Sequence, residues 1–473
     1  MELESILRIV VLAIGFYMAW NIGANDVSNA MGTSVGSGAL TIRRAVLLAA
    51  IFEFSGAFLV GSNVSETMQR GLIDTSLFLT DPTTLILGMC GALLGTGVWL
   101  QIASYFGWPV STTHAIVGSI LGFGALVGGV DAIRWGEVSS IAISWVVSPL
   151  ASGIISYLIF SVLQRKILYA MSPVDATRRL MPLLMAIVFG TFTLSLVFNG
   201  LENLKLNVSF PAALGLSFLV AAIVLLLAFL YFRKKAPEQV ACNINTPPPH
   251  ALISLNKATK HLQRVQVSTY NNTHDKVEKI LQQVEALSAT IRQESRFDAR
   301  TSDFQIVEKM FVWLQVLSAC FVAFAHGAND VANAVGPVAA VLDIIKNGAI
   351  SETSIVPLWL LGLGGIGIVV GLATWGWRVI ETVGKKITEL TPTRGFCAEF
   401  GAATTILLAS KLGLPISTTH CLVGAVLGVG LARGIRAINL NILKEIVLSW
   451  VITLPTSALM SILFYYVLKT IFL

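Results

Sequence analysis

Apolar residues gather in twelve runs, centred roughly on 6–22, 45–64, 84–103, 109–128, 139–163, 181–199, 210–232, 311–335, 355–379, 396–412, 415–433 and 443–472. Most approach the ~20 residues a helix needs to cross a hydrocarbon core. Those holding NIGAND, WPVSTTH, AHGAND and LPISTTH are short, glycine-rich or proline-led, which makes them candidates for broken or re-entrant helices. One long polar stretch interrupts the pattern. Residues 233–310 open with Arg233-Lys234-Lys235 and carry Pro247-Pro248-Pro249. Val277, Ile280, Leu281, Val284, Leu287 and Ile291 then recur at helical spacing, predicting a linker with one amphipathic helix. The expected organisation is a first transmembrane repeat over 1–163, connecting helices over 164–232, a hydrophilic linker over 233–310, and a second repeat over 311–473.

Composition strengthens the membrane reading. Of 473 residues, 55% are apolar and 12% charged, with mean hydropathy +0.77. The charged share is about half the ~25% of a soluble domain, and a third of it crowds between Arg233 and Lys309. Too little polar surface remains for a soluble enzyme, a secreted disulfide scaffold or a disordered chain. The net charge of +6 sits in short clusters between apolar runs, which argues against nucleic acid. The five cysteines, Cys90, Cys242, Cys320, Cys397 and Cys421, are odd in number and lack CxxC spacing, so packing is their expected role. The acidic start, MELESILR, precedes a run without a small-residue cleavage site and reads as a retained first span. Lysines and arginines of the short loops fall roughly two to one on the side that also receives 233–310. That side is expected to be cytoplasmic, with both termini outside a cell (inner or plasma) membrane.

The chain also repeats itself. GANDVSNA at 23–30 matches GANDVANA at 327–334, PVSTTH at 109–114 matches PISTTH at 415–420, and Ser144-Trp145 matches Ser449-Trp450. Seven spans precede the second copy, an odd number, so the second copy is expected to enter the membrane from the opposite side. Inverted repeats with interrupted helices at a central site are the arrangement of secondary transporters.

The first motif puts Asn25, Asp26 and Asn29, and again Asn329, Asp330 and Asn333, inside or at the edge of the membrane, one helical turn apart. No lysine or arginine lies within fifteen residues of either aspartate. An intramembrane carboxylate is costly unless protonated, ion-paired or bound to a cation. Asp and Asn oxygens suit a hard cation such as sodium, so Asp26 and Asp330 are the candidate metal ligands. An asparagine contact gluing helices together is the plain alternative. In the second motif a proline precedes Ser111-Thr112-Thr113 and Ser417-Thr418-Thr419, a helix-start signal. Free N–H groups, the positive dipole end and hydroxyls can face an anion there, though capping alone also explains the pattern. Two such starts aimed at one point favour a small tetrahedral oxyanion. His114 and His420 can shuttle protons or be held structurally by hydrogen bonds. Glu53 and Glu399 do not align under the repeat; each can carry a proton or cation or pack as a neutral acid.

Free phosphate, like a phosphate ester with its second pKa near ~6, carries between one and two charges near neutrality. A centre with two aspartates and no basic side chain repels it strongly in a low dielectric. Co-bound cations or protons are therefore expected to be part of the binding site.

At these residues the chain resembles the inorganic phosphate transporter (Pit) family. The doubled GANDVxNA motif is that family's signature, and PVSTTH, PISTTH, Glu53, Glu399 and the polar central loop are similar too. The resemblance implies symport of phosphate with sodium or protons, which are co-transported rather than cofactors, by two inverted repeats around a central site. It also implies that Asp26 and Asp330 bind or relay cations while the asparagines and Ser-Thr-Thr triplets share phosphate and ions. Relatives moving sulfate or metal–phosphate complexes leave the anion open, and a homo-oligomer stays open as well. An intramembrane phosphohydrolase using Ser111 or Ser417, or a non-transporting receptor, is the reading from other classes. An enzyme is not expected, since adjacency in sequence does not make a catalytic dyad.

Overall fold

The computed structural model describes residues 2–70, 72–79, 81–200, 208–234, 249–267, 272–297, 302–348, 350, 356–377, 379–380, 390–434 and 440–472. Lys205, Lys235, Cys242, Pro247, Pro248, Arg378, Lys385, Lys386 and Arg436 lie outside them. The chain is all-helical, and the described residues hold one isolated bridge, Ile73 to Ile133, and no strand. Seven helices are long and apolar enough to cross a membrane, or eight if the pair bent by 62° at Gly61 counts as one span. The protein is a multi-pass membrane protein.

Contacts divide the chain into two compact units. One comprises residues 1–161, 183–226 and 311–473; the other comprises 162–182 and 227–310. In the second unit, α9 (Pro249–Val267) and α10 (Asn272–Phe297) pack against each other. The expected amphipathic helix is α10, with Val277 buried; α9 is an addition to that expectation.

The first unit holds every candidate site residue. Helix α1 (Glu2–Gly36) and helix α11 (Ser302–Asn347) each run unbroken through a GAND motif. The interruption expected there is absent, because both segments are buried on all sides and their apolar neighbours hold the helix against weak formers such as Gly and Asn. Close crossings explain the motif glycines. A Cβ on Gly23 would strike the Ile368 carbonyl of α12 (Leu358–Thr374), and one on Gly327 would strike the Glu53 carbonyl of α2 (Ile42–Val60). Each half thus lays its motif helix across a helix of the other half.

The STTH motifs do begin new helices. Helix α4 (Pro82–Phe106) ends at Gly107, whose φ of 69° closes it in the left-handed region. After Trp108-Pro109, Ser111 caps α5 (Thr112–Gly128) by accepting from the His114 N–H at 3.2 Å. Helix α13 (Pro392–Lys411), Gly413 with φ 66°, and α14 (Thr418–Arg433), capped by Ser417 to the His420 N–H at 3.2 Å, repeat the arrangement. Two helical hairpins result.

The helix following each hairpin packs on the other one. Ser152 of α6 (Trp135–Leu163) donates to the Cys421 carbonyl at 2.7 Å, in the second hairpin. On the first hairpin, Ser119 donates to the Ser457 carbonyl of α15 (Leu440–Phe472) at 3.0 Å. Outward faces such as Ile143, Val146, Leu150 and Ile154 are exposed and apolar, as lipid contact requires. Cys90, Cys320, Cys397 and Cys421 are buried among the helices.

Candidate functional site

The two GAND helices and the two hairpin turns meet at one buried cluster. Asn29 on α1 reaches across to the second copy, its amide 2.8 Å from Thr419 Oγ1 and 3.5 Å from Thr418 Oγ1. Asn333 on α11 reaches the first copy, 3.2 Å from Thr113 Oγ1 and 3.4 Å from Thr112 Oγ1. Asn29 also donates to Asp26 at 3.2 Å, and Thr418 donates to Asp330 at 2.8 Å. Asp26, Asp330 and all four threonines are at most 2% exposed.

The remaining predicted residues surround this centre or leave it. Asn25 and Asn329 turn to the hairpins, 3.0 Å from Ser104 Oγ and 3.0 Å from Ser410 Oγ. Ser111 and Ser417 are spent on capping. Glu399 stands in a polar nest of its own, accepting from Thr33 at 2.6 Å, Ser34 at 2.7 Å, Ser318 at 2.5 Å and Gln315 at 3.3 Å. Its carboxylate is fully satisfied there.

The expectation of a centre without a basic side chain is corrected by His326. Its Nε2 lies 3.0 Å from Asp330 Oδ2 and 3.8 Å from Asp26 Oδ2, and its Nδ1 lies 3.3 Å from Glu53. One ligand atom from each of Asp26, His326 and Asp330 falls within 4.8 Å of the others. The signal was present as AHGAND against NIGAND, a histidine one turn before the aspartate. Repetition does not mark it, because the matching residue is Ile22. Glu53 likewise enters the centre only through the crossing of α2 with α11.

Three carboxylates therefore face one imidazole, and acid outnumbers base. Among the described residues, Asp26 Oδ2, Asn25 Oδ1 and Asn333 Oδ1 are buried acceptors without a hydrogen-bond donor. Such atoms are expensive to bury bare, and a cation satisfies them. Three of the four threonine hydroxyls already donate, Thr418 to Asp330, Thr113 to the Ile416 carbonyl and Thr419 to the Val110 carbonyl, so an anion beside the cation draws its donors from hydroxyls that re-point and from the asparagine amides.

Comparison with known proteins identifies the chain's relatives. A family model described as the phosphate transporter family matches residues 22–461. A putative phosphate permease of Chlamydia pneumoniae is 47% identical over 466 residues, covering 98% of this chain and 99% of the relative. The chloroplastic inorganic phosphate transporter 2-1 of Arabidopsis thaliana is 42% identical over 99% of this chain and 73% of its own. A solved structure described as the sodium-dependent phosphate transporter superposes with TM-score 0.80 at 36% identity, covering 98% of this chain and 99% of the other. The family model spans most of the chain and the relatives match it nearly end to end, so the chain belongs to the phosphate transporter family.

Proposed function

We propose that this chain imports inorganic phosphate together with sodium ions by alternating access. Asp26 and Asp330 hold the cations in this reading, and Asn29, Asn333, Thr112, Thr113, Thr418 and Thr419 share phosphate and ions. Asn25, Asn329, Ser111 and Ser417 support this centre from the hairpins, and Glu53 and Glu399 serve as further coupling carboxylates. The carrying observation is the excess of buried acid over base at a centre lined by matched hydroxyls and amides. An anion entering there meets net repulsion unless cations come with it. The structural relative is described as sodium-dependent, which supports sodium over protons. The seven long helices, the bent pair, α13 and the shorter α5, α12 and α14 make about twelve membrane segments in this reading. Both termini lie outside a cell (inner or plasma) membrane, the halves are inverted, and 233–310 is cytoplasmic.

The test is uptake of radiolabelled phosphate into proteoliposomes with sodium and pH gradients varied independently. Sodium-driven accumulation, competed by unlabelled phosphate and not by sulfate, is expected. Asp26→Asn and Asp330→Asn should each reduce it at least ~100-fold while insertion persists, since a lost buried charge contact costs about 3 kcal/mol. Uptake indifferent to the sodium gradient overturns the coupling assignment.

A further inference from the structure

Between the two hairpin turns, four rings touch in series, two of the three contacts tilted and one stacked. His114 and His420 face each other across the repeat at 4.4 Å between centroids, tilted by 37°. Trp145 backs His114 at 3.7 Å, and Trp450 backs His420 at 3.5 Å. Each histidine directly follows the threonine pair of its own turn. The turns are also tied by reciprocal bonds: Thr113 donates to the Ile416 carbonyl at 2.9 Å and Thr419 to the Val110 carbonyl at 3.4 Å. Trp145 adds a bridge, stacking on the first turn while its indole N–H donates to the Pro415 carbonyl of the second at 3.2 Å.

We propose that the Trp145–His114–His420–Trp450 stack clamps the two Ser-Thr-Thr turns into one rigid piece, with His114 and His420 as positioning residues that hold the threonine hydroxyls at the spacing phosphate requires. His114 spends Nδ1 on Ser111 Oγ at 2.6 Å, the hydroxyl that caps its own helix. Rings packed this closely in a buried centre, with hydrogen bonds running between the turns beside them, transmit displacement instead of absorbing it. A displacement of one turn is therefore passed to the other. The threonines of both turns, donated to by Asn29 and Asn333, move or hold together.

This inference rests on the phosphate reading for its substrate, and two measurements separate their failures. In proteoliposomes, His420→Ala should raise the KM for phosphate at least ~tenfold with maximal uptake within about twofold of the wild type. His420→Phe keeps a ring and should restore KM to within about threefold. The double variant His114→Ala with His420→Ala should be no worse than the poorer single variant, because one clamp can be broken only once. Wild-type KM in His420→Ala, multiplicative losses in the double variant, or a Phe variant as poor as Ala each overturn the clamp. Wild-type protein that takes up no phosphate sinks the phosphate reading instead. The clamp is then judged by hydrogen exchange in detergent. His114→Ala should speed exchange at amides 416–421 on the opposite turn, and loosening confined to residues 110–115 overturns the proposal.

Discussion

His326 and Glu53 occupy places that are apolar in the matching half. Ile22 stands opposite His326 under the motif repeat, and the Ile368 carbonyl meets Gly23 as the Glu53 carbonyl meets Gly327. The molecule thus contains both a charged and an apolar version of one helix crossing. His326→Ile alone leaves Glu53 buried with its partner gone and should destabilise the protein by about 3–5 kcal/mol. Adding Glu53→Ile reproduces the apolar crossing and should recover most of that loss in a detergent melt. Uptake should be abolished in the single and the double variant alike; recovered uptake in the double variant would make the pair a packing device only. The paired Asp, Asn and Thr residues are readable from sequence because identical blocks at fixed offsets mark them. His326 and Glu53 carry no echo, so only the crossing of α2 and α11 brings them into view.

Among the elements, the GAND helices stay continuous where glycine and asparagine suggested a break. Propensity costs only about 1 kcal/mol for a glycine, and burial on every side outweighs that. What sequence cannot tell is why the glycine is there; the answer is an approach to a carbonyl of another helix. Gly23→Leu should therefore abolish a monodisperse detergent peak, since backbone on α12 blocks any Cβ. Gly215→Ala, with nothing within 4 Å of the added carbon, should elute and melt as the wild type. The helix starts of the two hairpins, by contrast, are legible in the sequence. Proline, a capping serine and a left-handed glycine are local signals that need no tertiary help. The ring stack is not local, and its tryptophans come from helices that pack on the opposite hairpin.

For the whole molecule, the division into two units has a direct test. Every candidate site residue belongs to the unit of 1–161, 183–226 and 311–473. Replacing residues 239–301 by a flexible linker should leave phosphate KM within about threefold, read by the same uptake assay. A larger loss would give the α9–α10 hairpin a part in transport. Packing α6 on the second hairpin and α15 on the first also orders biogenesis. An N-terminal half emerging from the ribosome has a hairpin whose covering helix is not yet synthesised, and a helix whose hairpin is still to come. Contacts of such sequence separation form late, so the nascent first half waits, exposed to membrane quality control, for the second. Separately expressed halves, cut within 239–301, should each be degraded alone and survive when made together.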